Sequence, residues 1–151
     1  MADISAFPTI NDVQVGDSGP VHNCIAGGTI KRGMVVGFPC GTSVGRTVTA
    51  LKAASTYDQV LGVALNDATS GGYVAVAGNG CEAKVANADD TTAIAAGSWV
   101  QADDNAVGGT VKAVAHGASA GYKYVVGKAL ENIAGAGSNT ILVSVTRLGS
   151  L

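Results

Sequence analysis

The clearest indication of the fold is the stretch Tyr73-Val-Ala-Val-Ala-Gly-Asn-Gly-Cys-Glu-Ala-Lys-Val85. Apolar and polar residues alternate on both sides of Asn79-Gly80, which is the period of a β-strand with one buried face. Asn-Gly is the preferred central pair of a type I′ turn, because both positions need a positive φ. We therefore predict a β-hairpin here, with Val76 opposite Ala83 and the apolar side chains on one face.

The same alternation recurs along the chain. In the closing segment Thr140–Arg147, Ile141, Val143 and Val145 fall on one face. Clusters of Gly, Asn and Asp separate the apolar segments, and no stretch has the length and period of an ordinary helix. Many short strands with regular turns are typical of a β-sandwich or barrel, so we predict an all-β, compact, barrel-like or sandwich domain. Further strands are predicted at 30–38, 47–53, 60–65, 98–102, 111–115 and 122–130.

The composition agrees with a folded domain made of small side chains. Of the 151 residues only 13% are charged and 5% aromatic, and 22 are glycine. An average chain has about 25% charged residues, and disordered chains are usually richer still in charge. A chain of this length can bury a core without help from a metal or disulfide. We expect one β domain at 21–151.

Several partners and compartments are disfavoured by the same sequence. The net charge is −2 and the basic residues are scattered, so there is no basic stripe for nucleic acid. No apolar run approaches the roughly 20 residues of a membrane span. The first residues lack a basic start and an apolar core, so no secretory signal is indicated. Cys24, Cys40 and Cys81 form no C-x-x-C and are expected to be small buried hydrophobes in a reducing cytosol.

A weak internal repeat is visible. The segment 29–36 resembles 93–100 at an offset of 64 residues, and 60–67 resembles 125–132 at an offset of 65. Each copy reads "x-I-x-x-G-x-x-V" and then "V-x-G-x-A-L" followed by two polar residues. We predict two similar halves, at about 26–88 and 90–148, within one barrel or sandwich.

Residues 1–20 differ from the rest and are predicted to form an N-terminal arm. Apolar residues occur there without a regular period, and Pro8 and Pro20 discourage strand pairing. An arm that becomes ordered on a partner fits this pattern; an edge strand of the same domain is the alternative. The candidate contact residues of the arm are Ile4, Phe7, Pro8, Ile10 and Val13.

The sequence contains no pattern of residues typical of a catalytic or metal-binding site. Ser43 lies in a G-x-S-x-G pattern, but a strand rather than a helix is predicted after it, so a surface turn is favoured. His22 and His116 are the only candidate bases, and no zinc, EF-hand or phosphate-loop spacing occurs. We expect no enzyme activity, cofactor, metal or small-molecule substrate. Trp99 is more consistent with a core or subunit-interface anchor than with a ligand platform.

One ordered set of segments is informative as a whole: 26–36, 60–68, 95–103, 126–134 and the closing strand to Leu148. Together these segments resemble the capsid decoration, or cement, proteins of tailed phages. That resemblance implies a β-tulip or barrel-like domain, usually a homotrimer, on the outer surface of the capsid. It also implies that the arm reaches the major capsid protein and that the protein, made in the host cytoplasm, ends in the virion. Lys31-Arg32 and the segment 116–122 depart from the family pattern.

Two other classes of function stay open at this point. A tail-tube, head-fibre or spike-base protein would share the composition and the lack of catalytic residues. A small ligand-binding β module should show clustered exposed aromatics, whereas Tyr57, Tyr73 and Trp99 are dispersed.

Overall fold

The structure is a computed structural model that describes residues 20–39, 45–51, 59–87, 93–103, 108–114, 124–134 and 139–146. Within these ranges the chain forms ten β-strands and no α-helix, so the predicted compact all-β class is confirmed. The first five strands are β1 Val21–Ala26, β2 Val35–Phe38, β3 Thr47–Ala50, β4 Gln59–Ala64 and β5 Tyr73–Ala77. The other five are β6 Glu82–Asn87, β7 Trp99–Ala102, β8 Val111–Ala113, β9 Val125–Ala129 and β10 Asn139–Val145.

The ten strands form two sheets, one from each half of the chain. The first five close into a barrel in the order β1-β3-β2-β4-β5, and the last five form a sheet in the order β6-β10-β9-β7-β8. In each half the first strand pairs with the fifth, the fifth with the fourth, the fourth with the second and the second with the third. The second sheet therefore repeats the strand order of the barrel. In the described residues it lacks only a counterpart of the pairing between β1 and β3.

The pairing that closes the barrel is the parallel one between β1 and β3. The Ile25 N–H donates to the carbonyl of Arg46 at 2.9 Å, and the Gly27 N–H donates to the carbonyl of Val48 at 2.8 Å. In the second sheet the corresponding strands, β6 and β8, are not paired in the described residues.

The first half of the chain lies where β6 and β8 would otherwise pair. The Ala86 N–H, on β6, donates to the carbonyl of Gly33 at 3.2 Å. Gly109, just before β8, accepts from the Val35 N–H and donates to the carbonyl of Leu51, each at 2.8 Å. Backbone groups that would join β6 to β8 are thus satisfied by the barrel, which fixes the two halves against each other.

The predicted hairpin at 73–85 is wrong, although its two strands are present. β5 pairs with β1 and β4, and β6 pairs with β10, so Val76 lies opposite His22 and Ala83 lies opposite Val143. The turn is real, since the Cys81 N–H donates to the carbonyl of Gly78 at 3.1 Å, but it passes from one sheet to the other. Alternation determines which side chains face the core and does not determine which strand is the neighbour.

The other strand predictions hold with changed lengths. The closing strand has Ile141, Val143 and Val145 fully buried, as predicted. The predicted strand at 30–38 begins only at Val35, because Ile30 makes an isolated bridge and a turn with φ of 87° at Gly33 follows it. Strand β1 was not predicted.

Two clusters of small apolar side chains form the core. One fills the barrel, and the other fills the space inside the second sheet and between the halves. The second cluster joins barrel residues such as Val35, Leu51 and Val63 to residues of the second sheet such as Val111 and Val143. The barrel cluster consists of Cys24, Ala26, Ile30, Met34, Val36, Val48, Leu61, Ala64, Val74 and Val76.

Local features recur at the same places in the two halves. An isolated bridge joins Ile30 to Ala68 in the first half and Ile94 to Ile133 in the second. Each half has a register shift between its second and fourth strands, and Gly33 and Gly97 have φ of 87° and 86°. The domain boundaries at 20/21 and at 26–88 and 90–148 stay predictions.

Candidate functional site

The predicted arm contacts Ile4, Phe7, Pro8, Ile10 and Val13 lie outside the described residues. The structure describes Pro20, the last residue of the predicted arm. The carbonyl of Pro20 accepts from the Gly78 N–H at 2.9 Å, and the Cys81 thiol lies 3.6 Å from the same oxygen. A Cβ on Gly78 would come within 2.7 Å of His22 Nε2, so Gly78 permits the close approach. Pro20 therefore lies beside the turn that links the two halves.

An exposed, uncharged surface begins at the same point. Val21, Asn23 and Ile25 alternate on the outer side of β1, and Ile25 lies opposite Tyr73 on β5. The exposed fractions are 48% for Val21, 38% for Ile25 and 81% for Tyr73, which is unusual for an aromatic side chain. We call these four residues the β1–β5 strip. Strand β1 is not predicted from the sequence, and with it this strip, although the period-of-two pattern at 21–26 is a signal for both.

A second surface surrounds Trp99 on the outer side of the second sheet. Trp99 is half-buried and lies opposite Lys128, whose Nζ is 4.8 Å from the centre of the indole ring. The Val114 N–H donates to the carbonyl of Trp99 at 2.9 Å, and Leu130, two residues beyond Lys128, is 42% exposed. We call Trp99, Val114, Lys128 and Leu130 the Trp99 face. Its ammonium–indole contact contributes about 0.5–1 kcal/mol at an exposed position.

Ion pairs elsewhere on the described surface have structural roles. The Lys84 Nζ is 2.6 Å from Glu131 Oε1, and the same oxygen accepts from the Leu142 N–H at 2.8 Å. The hydrogen bond from Lys84 holds the pKa of Glu131 below its ordinary value, helped by the Leu142 N–H and opposed by partial burial. These groups tie β6, β10 and the end of β9 together.

Asp67 plays a comparable part in the first half. The Arg32 N–H donates to its carboxylate at 2.8 Å, and the Lys31 ammonium lies at 3.4 Å. The backbone N–H of Arg32 is the main reason that the pKa of Asp67 is lowered. The Lys31 ammonium and the Arg32 N–H therefore both bind Asp67 and stabilise this turn.

Residues considered for chemistry are not brought together in the described part of the chain. His22 lies on β1, while Ser43 and His116 lie outside the described residues. Asp103 is 5% exposed and lies 3.2 Å from the Lys112 Nζ, so it forms an ion pair. Among those residues no group of three or more His, Cys, Asp or Glu side chains could hold a metal ion. No helix there is long and apolar enough to cross a membrane. The surfaces that the structure describes as candidates are the β1–β5 strip and the Trp99 face, and the predicted arm lies outside the described residues.

Comparison with solved structures finds a similar fold in the N base of head fibre gp8.5 of bacteriophage phi29. The superposition covers 87% of this chain and 98% of that chain, with a TM-score of 0.52 and 16% sequence identity. At this identity the likeness concerns the fold. No protein-family model matches the sequence, and comparison with curated proteins gives no match.

Proposed function

We propose that the protein is a non-enzymatic structural component of a phage virion that binds the outer surface of the capsid and stabilises the shell. The observation that carries the proposal is the fold, which is shared with nearly the whole of a phage head-fibre base. The ordered motif resemblance to decoration proteins points to the same class of virion component. In this proposal the chain is made in the host cytoplasm, acts as a homotrimer, and needs no cofactor, nucleic acid, membrane or small-molecule substrate.

The physical basis of such a role is binding linkage. A ligand that binds only the assembled shell shifts the assembly equilibrium toward the shell, and many copies multiply a modest contact. A suitable ligand needs a stiff body and an adhesive segment. Here the body is a doubled β fold whose halves share one of the two core clusters. The adhesive segment is the predicted arm, and its last residue, Pro20, lies next to the exposed β1–β5 strip.

A head-fibre base is the second candidate, and the fold likeness to gp8.5 favours it directly. Both candidates place the protein on the outside of the head and differ in copy number. A decoration protein covers the lattice, so its copies should approach those of the major capsid protein. A fibre base should be present in far fewer copies.

Quantitative mass spectrometry of purified particles tests both. A ratio near parity with the major capsid protein supports decoration, and a small fraction of that ratio supports a fibre base. Absence from the particles contradicts both and returns attention to the small ligand-binding β module.

The role of the arm is tested by deleting residues 1–19 and keeping Pro20, whose carbonyl binds the Gly78 N–H. We expect this variant to fold and to lose binding to capsids that lack the protein. In a full-length control, four apolar residues of the arm are changed to serine: Ile4, Phe7, Ile10 and Val13. Its capsid binding shows whether binding depends on these apolar side chains or only on the length of the arm. Full occupancy by the truncated protein would refute the arm's role.

A further inference from the structure

The exposed apolar side chains of the described residues are concentrated on the β1–β5 strip. Five large hydrophobic side chains are exposed there, and three of them, Val21, Ile25 and Tyr73, belong to this strip. Val21, Asn23 and Ile25 share the outer face of β1, because residues two apart in a strand point the same way. A contiguous apolar surface of this kind is typical of a contact site.

The strip offers side chains and no free strand edge. Strand β1 is paired with β3 on one side and with β5 on the other, and the Ile25 N–H already donates to the carbonyl of Arg46 at 2.9 Å. The carbonyl of Tyr73 accepts from Asn66 Nδ2 at 3.1 Å. A partner must therefore lie over the face, about 10 Å from the strand backbone, and cover the roughly 13 Å between Val21 and Ile25.

The predicted arm reaches the strip first, because Pro20 directly precedes Val21. Residues 16–19 read Gly-Asp-Ser-Gly, a sequence that predicts a turn. The carbonyl of Pro20 is held by the Gly78 N–H at 2.9 Å, so the position at which such a turn joins the domain is fixed. Four residues span up to about 14 Å, which is enough to place Val15 above the strip at the end nearest Val21.

The apolar residues before this turn match the strip in length. Val13 and Val15 are separated by one residue, so they share a face when the segment is extended. Ile10 and Phe7 follow further from the turn. An extended segment from Ile10 to Val15 spans about 17 Å, which covers the strip from end to end.

The charges of the two surfaces are complementary. Residues 1–19 contain three aspartates and no Lys, Arg or His. The strip itself is uncharged, and exposed Arg46 borders it, with its guanidinium beside the Cys24 thiol. Opposite charges at the rim of an apolar contact favour that partner and fix its position. The strip of a second copy, by contrast, would bring a second Arg46 to the contact.

We propose that residues 7–15 fold back over the β1–β5 strip of the same chain in the free protein. Attachment at Pro20 makes the contact intramolecular, so weak apolar packing is sufficient. The inference rests on the arm of the proposed function and gives that arm a binding site before it meets a capsid. Binding to the shell then exchanges one apolar surface for another and uncovers the strip.

The test places a nitroxide on the arm of the full-length chain and uses no capsid. Gln14→Cys carries the label between Val13 and Val15, in a Cys40→Ser background in which the other two cysteines, Cys24 and Cys81, are buried. Amide NMR signals are compared before and after reduction of the nitroxide with ascorbate. We expect the strongest broadening at the strip.

A mixture of two chains establishes whether the contact lies within one chain. One chain is isotope-labelled and has no nitroxide, and the other carries the nitroxide and no isotope. Broadening of the strip should be absent from this mixture. If the mixture shows broadening as strong as the doubly labelled chain, the arm of a second copy is the occupant and the proposal is wrong.

Point variants of the labelled chain test the side chains of the contact. Tyr73→Ser, and separately a chain with Val13→Ser and Val15→Ser, should each lower the ratio of docked to free arm about tenfold. Phe38→Ser removes an aromatic that is 36% exposed and lies off the strip, so its broadening should equal that of the parent chain. Circular dichroism checks that each variant is folded.

Two further results would overturn the proposal: no broadening of the strip in the parent chain, or unchanged broadening in both folded serine variants. The proposed function fails separately. If the strip is not broadened while deletion of residues 1–19 still abolishes capsid binding, the arm binds the shell without docking on its own domain. If the strip is broadened and the truncated protein binds capsids fully, the docking stands and the arm's role on the shell does not.

Discussion

Gly62 and Gly127 occupy equivalent places in the two halves, and neither has room for a side chain. A Cβ built on Gly62 would overlap the carbonyl oxygen of Ala77, and one built on Gly127 would overlap that of Ser144. In both cases the obstacle is the backbone of the adjacent fifth strand, which cannot turn aside as a flexible side chain would. The "V-x-G-x-A-L" pattern therefore records a close approach of two strands, made once in each half.

Gly62→Ala and Gly127→Ala should each destabilise the protein by about 3 kcal/mol, the upper part of the usual cost of overpacking. Urea unfolding followed by circular dichroism measures the loss. Gly28→Ala is the matched control, because a Cβ there meets nothing within 4 Å and Gly28 has no positive φ. That control should change stability by less than about 1 kcal/mol. A tolerated alanine at either buried glycine would contradict the strand spacing.

Stability should decrease in acid through the carboxyl of Glu131. Its pKa is lowered in the folded protein by the Lys84 hydrogen bond, then by the Leu142 N–H. A lowered folded pKa gives stability that is present above the unfolded value, about 4.3, and is lost as the pH falls through the folded value. The side chain of Glu131 is 38% exposed, so the ion pair contributes no more than about 1 kcal/mol.

Glu131→Gln isolates this contribution. Glutamine keeps an acceptor for the Leu142 N–H, much as Asn66 accepts from the Ala75 N–H at 2.8 Å in the first half. We expect a small loss at pH 7 and a smaller decrease than in the parent chain between pH 5 and pH 3. Identical pH dependence in the two proteins, measured by urea midpoints, would show that Glu131 contributes nothing to it.

Leu51 and Val114 hold the same position in the two halves but differ in what covers them. Leu51 is fully buried under the second half, and Val114 is half-buried on the Trp99 face. Leu51→Ala should therefore cost about 2–5 kcal/mol. Val114→Ala should cost less than about 1 kcal/mol at concentrations where the chain is monomeric. Equal losses in thermal or urea unfolding would mean that the second face is covered within one chain.

Much of the fold follows from local pattern, as the closing strand shows. The alternation at Ile141, Val143 and Val145 gives the buried face directly, and glycine clusters mark the turns. The partner of each strand does not follow from such patterns. The segment 73–85 has every local feature of a hairpin, yet its two strands belong to different sheets. The edge of β5 that a hairpin would pair with β6 is paired with β1 instead, and β6 pairs with β10. β1 itself was missed because only Cys24 and Ala26 fill its inner side.

For the candidate surfaces too, the sequence predicts individual residues but not the neighbours that strand pairing gives them. Trp99 was identified from the sequence as an interface candidate, and that role stays a prediction. Its neighbours Lys128 and Val114 depend on the register of β9 and β8 against β7, which no local pattern specifies. The exposed position of Tyr73 likewise depends on its pairing with Ile25.

The described cysteines should resist alkylation in the native protein. Cys24 and Cys81 are both buried, and burial raises the pKa of the Cys24 thiol despite the nearby Arg46 guanidinium, which lowers it. Little thiolate is then available at pH 8, and thiolate is the reactive form. Iodoacetamide followed by peptide mass spectrometry should find both residues unmodified in buffer and fully modified in urea. Rapid native alkylation of Cys24 would show that the barrel opens at β1. Cys24→Ala serves as the control, and it should remove that signal while the barrel stays folded, since the thiol acts there as a small apolar side chain.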